Sequence, residues 1–360
     1  MFTYAIYNFI LFGSTWAAYL YEKSESRNAQ IVFYSVAFLI PFFFLAIRYN
    51  IGQDYPSYID YFNRIANGSI VLKEPGYVLI NYIIAELELD VQWLFIIFGF
   101  LTMLFTYKAL PKDGFALSLF LMITIFYLYS YSALRQSLVM AIMFYASKYI
   151  SEKRFWMYLF WAVVGMMFHI MTALLLLIIY PIANKRFNKF LLMAIVFFST
   201  ILVFSTNFLH NIVESIVLLF PKYAWYLNSK YMLPANTSAG LAGPLIKIVI
   251  GLMVIFFKDK IILKYPEANI TINLYVLFLL GSVFRLDIAI FNRMEEAYML
   301  YFILSIGYFL KTFDTVSRII IMYLILLFYY LMFNRYIVIA TVDIDNGAHV
   351  RPYETIFDRR

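Results

Sequence analysis

Residues Phe155–Tyr180, FWMYLFWAVVGMMFHIMTALLLLIIY, form a run of 26 residues with no Asp, Glu, Lys or Arg and with His169 near the centre. As one straight helix they would reach about 39 Å at about 1.5 Å per residue, against about 30 Å of hydrocarbon in a bilayer. The flanks carry Lys148, Lys153 and Arg154 on one side and Lys185, Arg186 and Lys189 on the other. Short loops rich in Lys and Arg stay on the cytoplasmic side of a membrane. A single crossing would place these two loops on opposite sides. Two short helices that enter and return, turning near His169, place both on the same side. The run therefore reads as a hairpin, with an imidazole at its outer turn.

Composition names the same solvent for the rest of the chain. Of 360 residues, 64% are hydrophobic and 14% are charged, about half the charged share of a soluble domain. A soluble enzyme, a nucleic-acid-binding domain and a disordered chain are excluded. Eleven apolar runs follow one another: Phe2–Leu20, Ile31–Ile47, Val91–Tyr107, Phe115–Tyr131, Gln136–Ile150, Phe155–Tyr180, Phe190–Phe208, Leu241–Phe257, Ile270–Phe284, Met294–Leu310 and Ile319–Phe333. With the hairpin counted twice, the chain reads as an all-α polytopic membrane protein of about 11–12 transmembrane helices in one integral domain, residues 1–360.

Charge orients these runs. The loops Lys23/Arg27, Lys108/Lys112, Lys148/Lys153/Arg154, Lys185/Arg186/Lys189, Lys258/Lys260/Lys264 and Lys311/Arg318 hold 15 of the 28 basic residues. All six fall on one side, which is then cytoplasmic, and both termini lie outside. Facing outward are Arg48–Asp90 and Leu209–Gly240, expected to carry interfacial helices, and the tail, residues 334–360. Cysteine is absent and the three histidines are scattered, so no disulfide and no metal cluster are expected. Neither a cleaved signal nor an internal repeat is apparent.

Polar groups at a membrane edge are expensive and mark functional sites. The outer side receives Arg48, Asp54 and Tyr58, then Glu74-Pro75-Gly76-Tyr77, Arg135-Gln136, His169, Asn292-Arg293 and, in the tail, Arg351-Pro352-Tyr353. A guanidinium offers phosphate oxygens a planar, permanently charged fork, and helix N-termini behind Arg135 and Arg293 add N–H donors. Arg48, Arg135 and Arg293 are expected to form a metal-independent clamp for a diphosphate. The bland alternative is that they snorkel to headgroups or pair with Glu295, Glu296 or Asp54. Three roles are open to His169: base toward an attacking hydroxyl, donor to a substrate oxygen, or partner of a helix carbonyl. Asp54 and Glu74 are alternative bases or sugar ligands, weighed against plain solvated carboxylates. The outer-loop tyrosines suit stacking on sugar rings, yet with 38 Phe, 32 Tyr and 5 Trp most aromatics serve lipid, core or interface. No glycine-rich phosphate loop, zinc signature, nucleophile elbow or D-x-D pair is present, which counts against a nucleotide-sugar glycosyltransferase.

The order of these landmarks resembles a family. Arg48, Gly52, Asp54 and Tyr58 read as R-x3-G-x-D-x3-Y, followed by the Glu74–Tyr77 box, Leu134-Arg135-Gln136, Phe168-His169, and Asn292-Arg293 with Tyr298 and Tyr301. Over nearly the whole chain this is similar to the EpsG family of Wzy-like bacterial polysaccharide polymerases. The resemblance implies a GT-C-like fold in the bacterial cytoplasmic membrane, with the active site facing outward. It implies a glycosyltransferase that moves a growing glycan from undecaprenyl diphosphate onto a lipid-linked repeat unit, without a cofactor. Chain-length regulator and flippase partners belong to the same expectation, and no nucleic acid does. In those terms Arg48, Arg135 and Arg293 bind diphosphate, while His169 activates or orients the acceptor. Asp54, Tyr58, Glu74, Tyr77 and Gln136 shape the cavity and hold sugar, and Tyr353 sits on a tail that folds over it. Whether the product is O-antigen, capsule or exopolysaccharide stays open.

Three alternatives share parts of this physics. A lipid-linked oligosaccharide flippase should line a path across the membrane with polar groups, whereas here only Lys247 is well embedded. A membrane O-acyltransferase should place a catalytic His or acid near the first runs, and Phe2–Leu20 has none. A ligase of the O-antigen type is the nearest competitor. The hairpin is directly testable: a topology reporter fused after His169 is expected outside the cell. A cytoplasmic signal would overturn the hairpin and separate His169 from the other outer residues.

Overall fold

The computed structural model describes residues 2–69, 73–205, 208–219, 224, 227–229, 232–234, 242–339 and 349–359. In chain order its helices begin with α1 (Phe2–Lys23), α2 (Arg27–Ile47), α3 (Tyr55–Ala66), α4 (Pro75–Glu86) and α5 (Gln92–Ala109). Next come α6 (Phe115–Met122) and α7 (Leu128–Ser132), joined through a π-helical turn at Ile123–Tyr127, then α8 (Leu134–Ala146), α9 (Lys148–Ser151), α10 (Phe155–Met166) and α11 (Ile170–Leu177). The rest are α12 (Tyr180–Ala183), α13 (Lys189–Ser205), α14 (Phe208–Leu219), α15 (Ala242–Phe256), α16 (Lys258–Lys264), α17 (Ala268–Phe284), α18 (Asn292–Leu310) and α19 (Thr315–Ile339). Two short strands, β1 (Arg48–Tyr49) and β2 (Glu354–Thr355), pair antiparallel. The protein is thus an all-α polytopic membrane protein.

Among the described residues every apolar run is built mainly of helix, with the turn at Met167–His169 interrupting one of them. Four helical stretches among the described residues are long and apolar enough to cross a membrane unaided: Arg27–Ile47, Gln92–Ala109, Phe115–Ser132 and Thr315–Ile339. The last runs beyond the expected Phe333, because nothing in Asn334–Ile339 breaks a helix. Of the outer segments, Arg48–Asp90 carries α3 and α4, and Leu209–Gly240 carries most of α14. Residues 220–223, 225–226, 230–231 and 235–240 of that second segment lie outside the described set, as do residues 340–348 of the tail.

The long run at Phe155–Tyr180 is two helices that fold back on each other. α10 ends at Met166, Met167–His169 turn, and α11 returns. The Tyr158 hydroxyl donates to the carbonyl of Leu176 at 2.6 Å. In one straight helix those residues would stand about 27 Å apart. The hairpin expected from charge alone is what the backbone forms.

The chain divides into two compact units, Met1–Leu177 with Thr315–Arg360, and Ile178–Asp314. In the first, α1 packs on α2 and α6, and α5 packs on α2 and α8, which also touches the hairpin. Pro41 inside α2 cannot donate to Ala37, and within a bilayer no water replaces the missing N–H. The Tyr107 hydroxyl of α5 does so, donating to the Ala37 carbonyl at 2.6 Å, and Tyr127 donates to that of Pro41 at 2.7 Å. A residue that breaks a helix ladder is thereby turned into a crosslink between helices.

In the second unit α17 and α18 form the central pair, with α13 and α15 against α17. Asn273 donates to the carbonyls of Ala183 and Lys185 at 2.8 Å each, and the Lys258 ammonium donates to Phe187 O at 3.0 Å. These bonds pin one of the basic loops to α16 and α17.

Two glycines allow the outer loops of the first unit to close on the helices. Gly52 has φ +106°, and a Cβ there would overlap the carbonyl oxygen of Tyr131 at the end of α7. At Gly76 a Cβ would lie 2.9 Å from Met167 Cβ in the hairpin turn. The tail completes the closure. The Gly52 N–H donates to His349 O at 2.8 Å, Tyr7 donates to Val350 O at 2.8 Å, and Tyr353 donates to Phe44 O at 2.6 Å.

Gly68 provides the control, since its φ is +73° but nothing lies within 4 Å of a Cβ. Gly68→Ala should cost only the left-handed strain of about 1–2 kcal/mol. Gly52→Ala adds the overlap with Tyr131 and is expected to lower the melting temperature in detergent by clearly more. Equal losses for the two variants would contradict the docking of this loop.

Candidate functional site

Four segments of the first unit meet on the side assigned to the outer face: Arg48–Tyr58, Glu74–Tyr77, the α7–α8 junction Tyr131–Gln136, and the hairpin turn Met167–His169. Backbone bonds tie them. Gly76 N–H donates to Met167 O at 2.8 Å, and Gln53 N–H donates to Ser132 Oγ at 3.0 Å. The Glu74–Tyr77 box is therefore seated on the turn that carries His169.

At the centre Arg135 forms an ion pair with Glu74, each side chain about 15% exposed. Pro75 at the first turn of α4 orients Glu74 just ahead of that helix, and Ala133 breaks α7 from α8 so that Arg135 opens a new helix. The guanidinium also lies 5.1 Å from the Tyr77 ring centroid and is hydrogen-bonded with the Tyr58 hydroxyl. Burial, with Asp54 nearby, pushes that hydroxyl up to about 12 despite Arg135, so it remains a neutral phenol in any physiological medium. The Arg135 Nε is buried and has no hydrogen-bond partner in the protein. Glu74 thus holds the fork in place through one nitrogen and leaves donor capacity over.

His169 stands at the start of α11. Its Nδ1 accepts from the Thr172 N–H at 3.3 Å and lies 2.9 Å from Thr172 Oγ1. A backbone N–H can only donate, so in the neutral ring the proton sits on Nε2. Of the three roles left open by the sequence, this arrangement favours a donor through Nε2 over a base.

Arg48 takes a position that its sequence context does not announce. It is completely buried, with its guanidinium 4.6 Å from the Tyr131 ring and 5.2 Å from the Phe95 ring. None of its three guanidinium nitrogens has a hydrogen-bond partner. A buried charge without a carboxylate costs several kcal/mol, of which two ring faces return about 2 each when desolvated. Tyr58, hydrogen-bonded with Arg135, also lies within electrostatic reach of Arg48. The remaining residues read from the sequence are spread around this centre. Gln136 is buried beside Arg135, Asp54 is exposed ahead of α3, and Tyr353 is buried with its hydroxyl bound to Phe44 O.

In the second unit Arg293, at the start of α18, is exposed and pairs with Glu296 at 3.2 Å. Sequence reasoning missed a stronger feature there. Glu295, 5% exposed, accepts from Lys247 at 2.8 Å and from Arg285 at 2.9 Å. Beside Arg285 in sequence, Asp287 lies 3.2 Å from His210. Lys247 interrupting an apolar run and Arg285 closing another were the signals for this triad. Among the described residues no three His, Asp or Glu side chains converge as a metal site would require.

No curated protein and no solved structure matches the chain. A sequence model of the EpsG family matches residues 31–355, a span that contains Arg48, the Glu74–Tyr77 box, Arg135, His169 and Arg293. The chain therefore belongs to the EpsG family.

Proposed function

We propose that this membrane protein is a polysaccharide polymerase that extends a glycan held on undecaprenyl diphosphate. It transfers the growing chain onto a lipid-linked repeat unit at the outer face of the cytoplasmic membrane. Family membership supports a glycosyltransferase-like polymerase; the donor, the side of the membrane and the residue roles are our reading. One observation carries it most: the Arg135–Glu74 pair is docked, through Gly76 and Met167, on the turn bearing His169.

In the proposed reaction an acceptor hydroxyl oxygen bonds to the anomeric carbon of the donor glycan. The bond from that carbon to the diphosphate oxygen breaks, and its electron pair leaves with undecaprenyl diphosphate. The acceptor proton ends on the departing diphosphate, whose terminal phosphate has a second pKa of about 6. Arg135 stabilises the charge that develops on the leaving oxygen, using the donors that Glu74 does not occupy. Buried Arg48 adds positive potential without touching the lipid, a narrower role than the clamp expected from sequence. Arg293 is kept as a proposed diphosphate ligand of the second unit. His169 Nε2–H orients a sugar oxygen, and Tyr58, Tyr77, Asp54 and Gln136 line the sugar site. Tyr353 seats the tail.

The reading is tested in the native host by the length ladder of the surface polysaccharide. Arg135→Ala is expected to cut polymer formation about 10²–10³-fold, as loss of a charge-stabilising donor does, leaving single repeats still exported and attached. Arg135→Lys, which keeps charge without the fork, should retain part of the activity, and His169→Ala should shorten chains less severely. Complete loss of surface glycan in Arg135→Ala would point to a flippase or a ligase instead. An unchanged ladder in Arg135→Ala would end the assignment.

A further inference from the structure

The opposite end of the first unit holds a cavity of about 480 Å³ with no acidic side chain in its lining. Arg27, Lys108 and Lys112 line it, with Gln30, Tyr34 and Tyr107. Three membrane-length helical stretches place it at a headgroup level, because α2 starts at Arg27, α5 ends at Ala109 and the next stretch starts at Phe115. Glu22 accepts from the Ala116 N–H at 3.2 Å and so caps the Phe115 helix, and Glu25 and Asp113 are exposed. The N-terminus of α2 adds its dipole to the three cations. The floor is aromatic, with Tyr34 stacked on Phe115 at 5.3 Å and Tyr21 5.5 Å from both. From this rim the outer face of α2 continues apolar and exposed through Ile31, Val32 and Leu39.

A site with three cations and the N-terminus of α2 at one end, and an exposed apolar helix face leading from it, has the shape of an amphiphile with an anionic head. We propose that this cavity binds the phosphate headgroup of an anionic membrane lipid, its acyl chains lying along α2. Arg27 and Lys108 grip the phosphate, and Lys112 closes the rim. This site is distinct from the proposed catalytic centre and does not depend on it. The lipid acts as a clip between α2, α5 and the Phe115 helix, beside the bond that the Tyr34 hydroxyl donates to the Tyr107 carbonyl at 3.4 Å. Basic pockets between spanning helices take anionic headgroups in this way.

The test uses the full-length purified protein and native mass spectrometry, with phosphatidylglycerol and phosphatidylcholine titrated separately. The unaltered chain is expected to retain one phosphatidylglycerol at least tenfold more tightly than phosphatidylcholine. Arg27→Gln and Lys108→Gln should each weaken retention about fivefold, while Lys260→Gln, the same charge loss in the second unit, should leave it unchanged. Equal retention of the two lipids by the unaltered chain would overturn the proposal whatever the variants do. Equal weakening by Lys260→Gln would reduce the effect to net charge and overturn it too. Displacement of the lipid by millimolar glycerol phosphate would assign the site to free phosphate rather than to a lipid.

Discussion

The carbonyl of Met167 accepts the N–H of Gly76 at 2.8 Å, and the outer half of the first unit is organised around that bond. It exists because the helix of the apolar run at Phe155–Tyr180 breaks and folds back at Met167, leaving carbonyls without helical partners. It also requires glycine at residue 76, since a Cβ would press on Met167. With this contact made, Pro75 starts α4, Glu74 points at Arg135, and Tyr77 lies under the guanidinium. Gly52 performs the corresponding close approach at Tyr131, the ring over which the Arg48 guanidinium lies. Two bare backbone contacts thus assemble one cationic centre from segments far apart in sequence.

The surroundings of the two arginines separate their chemistry. Arg135 is held by a carboxylate but keeps unpaired donor capacity at a partly open position. The Arg48 guanidinium is sealed against aromatic rings and makes no hydrogen bond. A sealed guanidinium acts at a distance through its field, and a tethered one acts by contact. An arrangement with both suits a dianionic leaving group, since field raises local attraction while contact fixes orientation. The Tyr58 phenol beside Arg135 stays neutral and does not cancel the charge.

The fold was legible wherever hydrophobic runs and loop charge carry the information. Each apolar run is helical, and the turn at His169 follows from two basic flanks that must share one side. Within the first unit the site was legible as a set of landmarks, because Gly52, Glu74, Arg135 and His169 are polar or small residues where apolar ones would be cheaper. What the sequence did not show is pairing. Nothing in the spacing says that Arg135 meets Glu74, 61 residues away, or that Arg48 has no partner. The Lys247–Glu295–Arg285 triad was hidden for the same reason, since each member sits on a different helix or helix end. Such contacts are products of packing, where local periodicity carries no record of the partner.

The central claim is that this one chain lengthens a glycan from a lipid diphosphate donor. It is tested most directly with the purified protein in lipid vesicles, given an undecaprenyl-diphosphate-linked repeat unit and a divalent-ion chelator. Products are followed by mass spectrometry. The account predicts lipid-linked oligomers of several repeats, with one undecaprenyl diphosphate released for each new glycosidic bond. Repeat units that remain single, or that lengthen only when a nucleotide sugar or a divalent ion is added, would contradict it.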